Sequence, residues 1–490
     1  MNLQNISPIL LLPGELMTKI LLYIPDLNSI NYMSVNKYFL NTIEWMFNHY
    51  EKLYDSIDEN WKEGKVKYIK KLLKTLFSSK NDDAIIFLFN NYRNDNIIYY
   101  TSYYIGLFNY TELLQYISKI DISALVYGAA EGGYFDLVKY EVSRGANKFN
   151  IIARYAARGG YLDIVKYAIR KGANDFIGVA KYAAEGGHLH IVKYAVNKGA
   201  RNFNLIAYGA AKSGYLDIVE YAVCKGANDF NRIAIISAKY GYLLIVVYTV
   251  KRGANNLNEI AIVSALNGYL DIVKYAIREG ANNFNEIAIK AVEAGYLPIV
   301  KYAVYKGAND FNGIAIKAIE YGYLDIFKYA IKKGANDFCL IAGKAAEYGH
   351  LHTVEYAVRK GARNFNFIAR VAALEGYLDI VKYAIGKGAN DFDRILLNAS
   401  LNGYFDIVNY IASYAALNGY IATVIYAIDK GANNFKEIIN NAALNGYFDI
   451  VNYIAKYAAL NGYVDVMEYA ISKGADDLNE LERYATMNSK

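Results

Sequence analysis

Cysteine and proline are nearly missing from this chain, with two Cys and four Pro among 490 residues. Cys224 and Cys339 are too far apart in sequence for a C-x-x-C pair or a zinc knuckle, and two thiols cannot build a disulfide framework. A reducing compartment fits such usage. Charge of one sign is scarce too. Lys+Arg 53 against Asp+Glu 47 leaves +6 over the whole length, too small a surplus for a phosphate-binding surface, so no nucleic-acid partner is expected. No stretch of about 18 apolar residues escapes Lys, Asp, Asn or Gly, so no membrane span and no membrane partner are expected. The start, MNLQNISPILLLPGEL, has no basic lead and no small-residue cleavage site, so it does not read as a secretion signal. An intracellular, cytoplasmic protein is expected. What the chain has in plenty is Tyr, with 50, and Gly, with 38.

The glycines keep time. A Gly followed by Tyr or His recurs every 27 residues from Gly133 through Gly160 and Gly187 to Gly403, and a second Gly runs in phase from Gly145 to Gly388 inside the phrase KGAN. Self-similarity at such a period marks a repeat architecture. One segment of the unit, YLDIVKYAI, carries apolar residues at helical spacing, an acid such as Asp163 or Asp217 in its first turn, and a Lys-Gly end where Gly172 or Gly226 can turn left-handed. The other, NxIAxxAAxx, opens on an Asn (Asn150, Asn204, Asn312) that suits a helix N-cap. The expected unit is helix, tight turn, helix, short loop. Alone it cannot bury both sides of a helix pair, so neighbours must stack. Alanines such as Ala156 and Ala157 keep the first helix slim, and Tyr167, Tyr194 and Tyr275 are read as packing residues with their hydroxyls at the surface.

These residues resemble the ankyrin repeat, most closely in AAEGGHLHIVKYAVNKGA from Ala183 to Ala200 and in the similar phrase from Ala345 to Ala362. The resemblance implies an all-α, ankyrin-like helical solenoid. The match departs from the family's usual 33-residue unit: the Thr-Pro-Leu-His tetrapeptide is missing, and the loop after Gly172 is too short for a projecting β-hairpin finger. Phe176, Phe230 and Phe311 are therefore read as packing under the loop. Regular repeats are expected over residues 106–400, starting with a worn unit at YTELLQYI. Residues 401–463 hold two shortened units, where continuous helices are expected at about 405–418 and 448–461, and 464–490 should form a terminal repeat and polar cap.

Ahead of the repeats, residues 10–45 read LLLPGELMTKILLYIPDLNSINYMSVNKYFLNTIEW. They look like an F-box, a small helical module expected over residues 8–48, followed by a helical connecting region at 49–105. The family's module docks on Skp1, a cullin-linked adaptor, which makes Leu12, Pro13, Leu16, Ile20 and Leu21 the adaptor-facing residues by resemblance. The alternative is an amphipathic cap on the helices that follow. The lysines of KVKYIKKLLKTLF are read as a solvated face.

No catalytic constellation stands out. Nothing matches a phosphate-binding loop, and His188-Leu-His190 and His350-Leu-His352 place each pair's rings on different sides of a helix. No cofactor, no metal and no enzymatic activity are expected. The resemblance implies a concave face lined by the residue before each Ala-Ala: Tyr155, Tyr182, Gly209, Ile236, Val263, Lys290, Lys317, Lys344 and Val371. Aromatic, aliphatic and then cationic residues along that column would suit an extended protein target with an acidic stretch. Tolerated substitution would explain the variation equally well. The combination resembles proteins of large DNA viruses or intracellular bacteria that redirect host ubiquitination, and implies a substrate-recruiting adaptor for a Skp1/cullin-type ubiquitin ligase. The alternative is an ankyrin scaffold with no ubiquitin link.

Overall fold

The computed structural model describes residues 95–476 apart from Ser118, with further single positions between 70 and 89 and at 481 and 483. The F-box-like residues Leu12, Pro13, Leu16, Ile20 and Leu21 lie outside the described residues. Every regular element among the described residues is a helix. The chain divides into two compact units, Met1–Asn256 and Leu257–Lys490. Each is a stack of helix pairs.

The pair Phe176–Gly186 and Leu189–Asn197 shows how local sequence makes the repeat. The Asp175 carboxylate caps the first helix by accepting from the Gly178 N–H. Val179, Ala180, Ala183 and Ala184 form its buried face, a spacing that keeps small side chains against the neighbouring helices. Gly187, at φ 83°, ends it in the left-handed region, where a Cβ is costly. The second helix buries Ile191, Val192 and Ala195 and closes at Gly199, φ 118°, with the Ala200 N–H returning to the Ala195 carbonyl.

Asn150, Asn204 and Asn312 are not the caps. The caps fall two residues earlier, at Lys148, Asn202 and Asp310. Asn204 instead reaches across to the next pair. Its Oδ1 accepts from the Asn228 and Asp229 N–H groups, and its Nδ2 donates to the Asn228 Oδ1. The same rung joins Asn150 to Asn174 and Asp175 in the first unit, and Asn258, Asn285, Asn312 and Asn366 to the loops 24 residues on in the second. Where Ile177 or Cys339 stands in place of the Asn, the loop 24 residues later carries Arg201 or Arg363. Each Arg turns its guanidinium onto carbonyls of its own helix end, Val196 and Ala200 or Val358 and Ala362.

A second ladder links the Gly-Tyr junctions. The Tyr296 ring closes over Gly268, where an added Cβ would lie 2.4 Å from it, and Tyr215 and Tyr242 cover Gly187 and Gly214 in the same way. His188 takes the Tyr place over Gly160. The loop phenylalanines behave as read from the sequence: Phe176 and Phe203 reach the glycines of the next KGA turn, Gly199 and Gly226.

The first helices begin earlier than the sequence suggested. Asp95–Phe108 runs across the expected boundary at residue 105 and packs on Ile122–Gly132 through Gly106 and Gly128, where a Cβ would meet backbone of the other helix at 2.0 and 1.9 Å. The worn segment is a 3-10 turn, Thr111–Gln115. Of the preceding lysine-rich segment, Leu73, Leu76 and Phe77 are buried while Lys70 and Lys74 are exposed, the arrangement of a solvated lysine face. In the second unit the two continuous helices are Phe405–Leu417 and Phe448–Leu460. Within them Asn409 and Asn452 resume the asparagine rungs, binding Asn433, Asn434 and Asp476.

Gly268→Ala is expected to lower stability by about 2–4 kcal/mol, from left-handed strain and ring clash together, as read by urea denaturation. Adding Tyr296→Ala should relieve the clash, so the double variant loses less than the two single losses summed. Strict additivity would show that the ring contact does not matter. The rungs make a separate prediction. Ile177→Asn with Arg201→Asn should complete a missing rung and be more stable than the summed singles imply by about 1 kcal/mol; a coupling of zero would count against the ladder.

Candidate binding surface

The column read from the sequence lies on the first helices, and each of its side chains is half-buried, with Gly209 buried outright. In the first unit it is the centre of an aromatic and ionic cluster. Tyr155 stacks on Tyr127 at 5.3 Å between ring centroids and 7° between planes, and meets Tyr182 at 6.1 Å and Tyr103 at 5.9 Å. The Arg158 guanidinium lies 4.7 Å from the Tyr155 centroid and 5.6 Å from that of Tyr182, close enough for cation–π attraction. Its charge is matched by Glu131, which accepts from Arg158 Nε at 2.7 Å, from Arg158 Nη2, and from the Tyr103 hydroxyl. Burial alone would lower the Arg158 pKa, but the hydrogen bond and charge of Glu131 outweigh it and raise the value. Burial also pushes the Tyr103 phenol up, and the Glu131 carboxylate pushes it further.

In the second unit the column runs Val263, Lys290, Lys317, Lys344, Val371. Each lysine is held by a glutamate one turn on: Lys290 to Glu293 at 2.8 Å, Lys317 to Glu320 at 2.7 Å and Lys344 to Glu347 at 2.6 Å. Their pairing lifts the Lys317 and Lys344 pKa, with the preceding pair's Glu293 and Glu320 adding to it. The stripe is thus a ladder of both signs, and an acidic target would have to compete with three internal carboxylates.

The second helices carry another series. Lys171, Lys198 and Lys225 fold back to within 5.8 Å of the Tyr167, Tyr194 and Tyr221 ring centroids, four residues earlier on the same helix. Lys166 and Lys193 approach Tyr194 and Tyr221 from the preceding pair. Most of these lysines and tyrosines partner each other. Burial lowers the His188 pKa although its Nε2 contacts the Arg158 carbonyl at 3.1 Å, while His352 is 99% exposed. Cys224 and Cys339 are free and exposed. Among the described residues no group of His, Cys, Asp and Glu could hold a metal ion, and no helix is long and apolar enough to cross a membrane.

Reasoning from the sequence found the column but missed Glu131, Arg158, Tyr103 and Tyr127. Glu131 and Arg158 sit two residues before their junction glycines, on the neighbouring row of the same helices. A Glu and an Arg exactly one repeat apart were the signal for that pair; Tyr103 precedes the regular repeats and left none.

No family model and no curated protein matches the sequence. Among solved structures, a circular tandem repeat protein with novel repeat topology and enhanced subunit contact surfaces matches over 87% of this chain and 90% of its own, at 14% identity and a TM-score of 0.10.

The tyrosines set a pH dependence. The Tyr104 phenol is pushed up to about 12, chiefly by burial, and Tyr103 higher still. An unfolded phenol ionises near pH 10. Below that both states are neutral and the stabilisation is complete; above it the unfolded state loses protons first, so stability falls as pH rises from 10 towards 12. The slope is up to about 1.4 kcal/mol per pH unit for each such group. Tyr103→Phe should cost about 1–3 kcal/mol at pH 8, because a buried bond to a charged group is lost, and should make the alkaline fall shallower. Equal slopes in urea titrations at pH 9, 10 and 11 would contradict this.

Proposed function

We propose that the chain is a non-enzymatic scaffold that binds a protein target along its first helices and recruits it through the N-terminal module to a Skp1/cullin-type ubiquitin ligase. One observation carries the binding part: over an alanine-lined core that hardly changes, the outward column passes from Tyr155 and Tyr182 to Ile236 and Val263, then to Lys290, Lys317 and Lys344. Changing surface over constant interior is what a repeat scaffold offers a partner. The titratable groups that the fold brings together, Glu131 with Arg158 and the three Lys-Glu pairs, neutralise one another rather than pairing an acid with a base at a cleft. That supports recognition over catalysis.

The ubiquitin link rests on the F-box-like residues Leu12, Pro13, Leu16, Ile20 and Leu21, and the ankyrin reading on the quoted motifs. Purified chain should capture Skp1, and Leu12→Ala with Pro13→Ala should reduce that capture at least about tenfold, the equivalent of 1.4 kcal/mol. Equal capture before and after substitution would remove the adaptor role. A target held through Tyr155 and Tyr182, with no Skp1 retained, would leave a scaffold without the ubiquitin link.

A further inference from the structure

In the second unit the row two residues before each junction glycine changes character. It reads Leu266, Glu293, Glu320 and Glu347, and then leucine at each remaining junction: Leu374, Leu401, Leu417, Leu444 and Leu460. In the first unit the same row is charged at Arg158, Glu185, Lys212 and Lys239. The leucines are not spent on the core, for Leu401 and Leu444 are 73% and 75% exposed and Leu374 and Leu417 are 43% and 47% exposed. Both of the most open ones precede a shortened unit, inside two copies of one phrase, Leu-Asn-Gly-Tyr-Phe-Asp, at 401–406 and 444–449. Phe405 and Phe448 add 46% and 43% exposed rings beside them, although each also covers a KGA glycine, Gly431 or Gly474.

The surroundings are depleted of charge, and the charge that is left is negative. Residues 395–428 contain one ionisable acid, Asp406, and no Lys or Arg; residues 438–455 contain Asp449 and no Lys or Arg. Both acids are exposed, as is Asp379, which follows Leu374 at the same five-residue interval. The nearby lysines Lys430 and Lys436 are held by Asp429 and Asp465.

We propose that this leucine row docks an amphipathic α-helix of a partner protein, with an apolar residue at every seventh position and Lys or Arg beside it to face the aspartates. The spacing selects a helix. Stacked helices lie about 8–10 Å apart, and seven residues of α-helix advance about 10.5 Å, so one anchor meets one leucine per layer. A strand covers that distance in about three residues, which turns successive anchors to opposite faces. Exposed acids beside the leucines disfavour an anionic lipid surface. The inference deepens the scaffold reading and rests on it only in that the occupant is a protein.

The probe is a pair of synthetic peptides of about four heptads, both with Leu at every seventh position in an alanine-rich helix, one flanked by Lys and the other by Glu. Binding to the full chain is read by fluorescence anisotropy. The Lys-flanked peptide should bind at least tenfold more tightly, and Leu401→Ser with Leu444→Ser should weaken it by about tenfold. The thermal melt should stay unchanged, since both leucines are largely exposed. Equal affinity for the two peptides, binding indifferent to the double substitution, or flotation with anionic vesicles in place of peptide binding would each overturn the proposal. A target still captured through Tyr155 and Tyr182 while neither peptide binds would sink this inference and leave the scaffold reading standing.

Discussion

Each unit depends on hydrogen bonds and contacts that a helix pair cannot make by itself. The loop after KGA leaves two backbone N–H groups, those of Asn228 and Asp229 for instance, with no helical partner, and the Asn204 amide of the preceding pair satisfies both. Unpartnered donors are costly once neighbouring layers exclude water. The rung therefore ties the shape of one loop to the presence of the pair before it. The glycine junctions act in the opposite sense along the chain: Gly268 is shaped for the ring that the next pair brings, Tyr296. One pair receives acceptors from behind and a ring from ahead, which makes neighbour coupling the source of stability in such arrays.

Much of this was legible in one dimension. The 27-residue period, the two punctuating glycines, the slim alanine helix and the two fused helices at Phe405–Leu417 and Phe448–Leu460 follow from spacing and left-handed turn chemistry. The asparagines were misread for a definite physical reason. Asn150 and Asn204 stand near a helix start, where an Asn commonly caps, yet their partners are in the next pair, 24 residues away rather than 27. Aligning units on their own period cannot show a relation that joins one position to a different position of the next unit. Once the offset is known, the substitutions explain themselves: Asn at 24 residues before a KGAN loop, Ile177 or Cys339 before a KGAR loop.

The shortened units extend the same logic. Asp393 and Lys436 occupy the rung position of their helices, and 24 residues after each there is no KGAN loop at all, only Leu417 and Leu460 inside the fused helices. With no donors to satisfy, an Asn has no task there. The rung passes to Asn409 and Asn452, each 24 residues before the next surviving loop at Asn433 and Asp476. The aromatic ladder pauses at the same places, for a Cβ on Gly403 or Gly446 would meet nothing within 4 Å. The stack tolerates the missing passage because each ladder needs only its nearest partner and resumes one pair later.

Such division of labour decides what remains for recognition. Structure is specified at the junction glycines, the rung asparagines, the paired alanines and the covering rings, all at fixed places in the repeat. The two outward rows of the first helix, the residue before Ala-Ala and the one two places before Gly, take part in none of these contacts as a rule. Arg158 and Glu131 are the exception that shows the cost of using them, since burying one charge there brought in the other and Tyr103 with it. Elsewhere these rows change from aromatic to aliphatic, from cation to anion and from charge to leucine without altering a single helix boundary type. A surface free to vary in this way can be fitted to a partner one layer at a time, because a substitution on it leaves the neighbour contacts that hold the layers together intact.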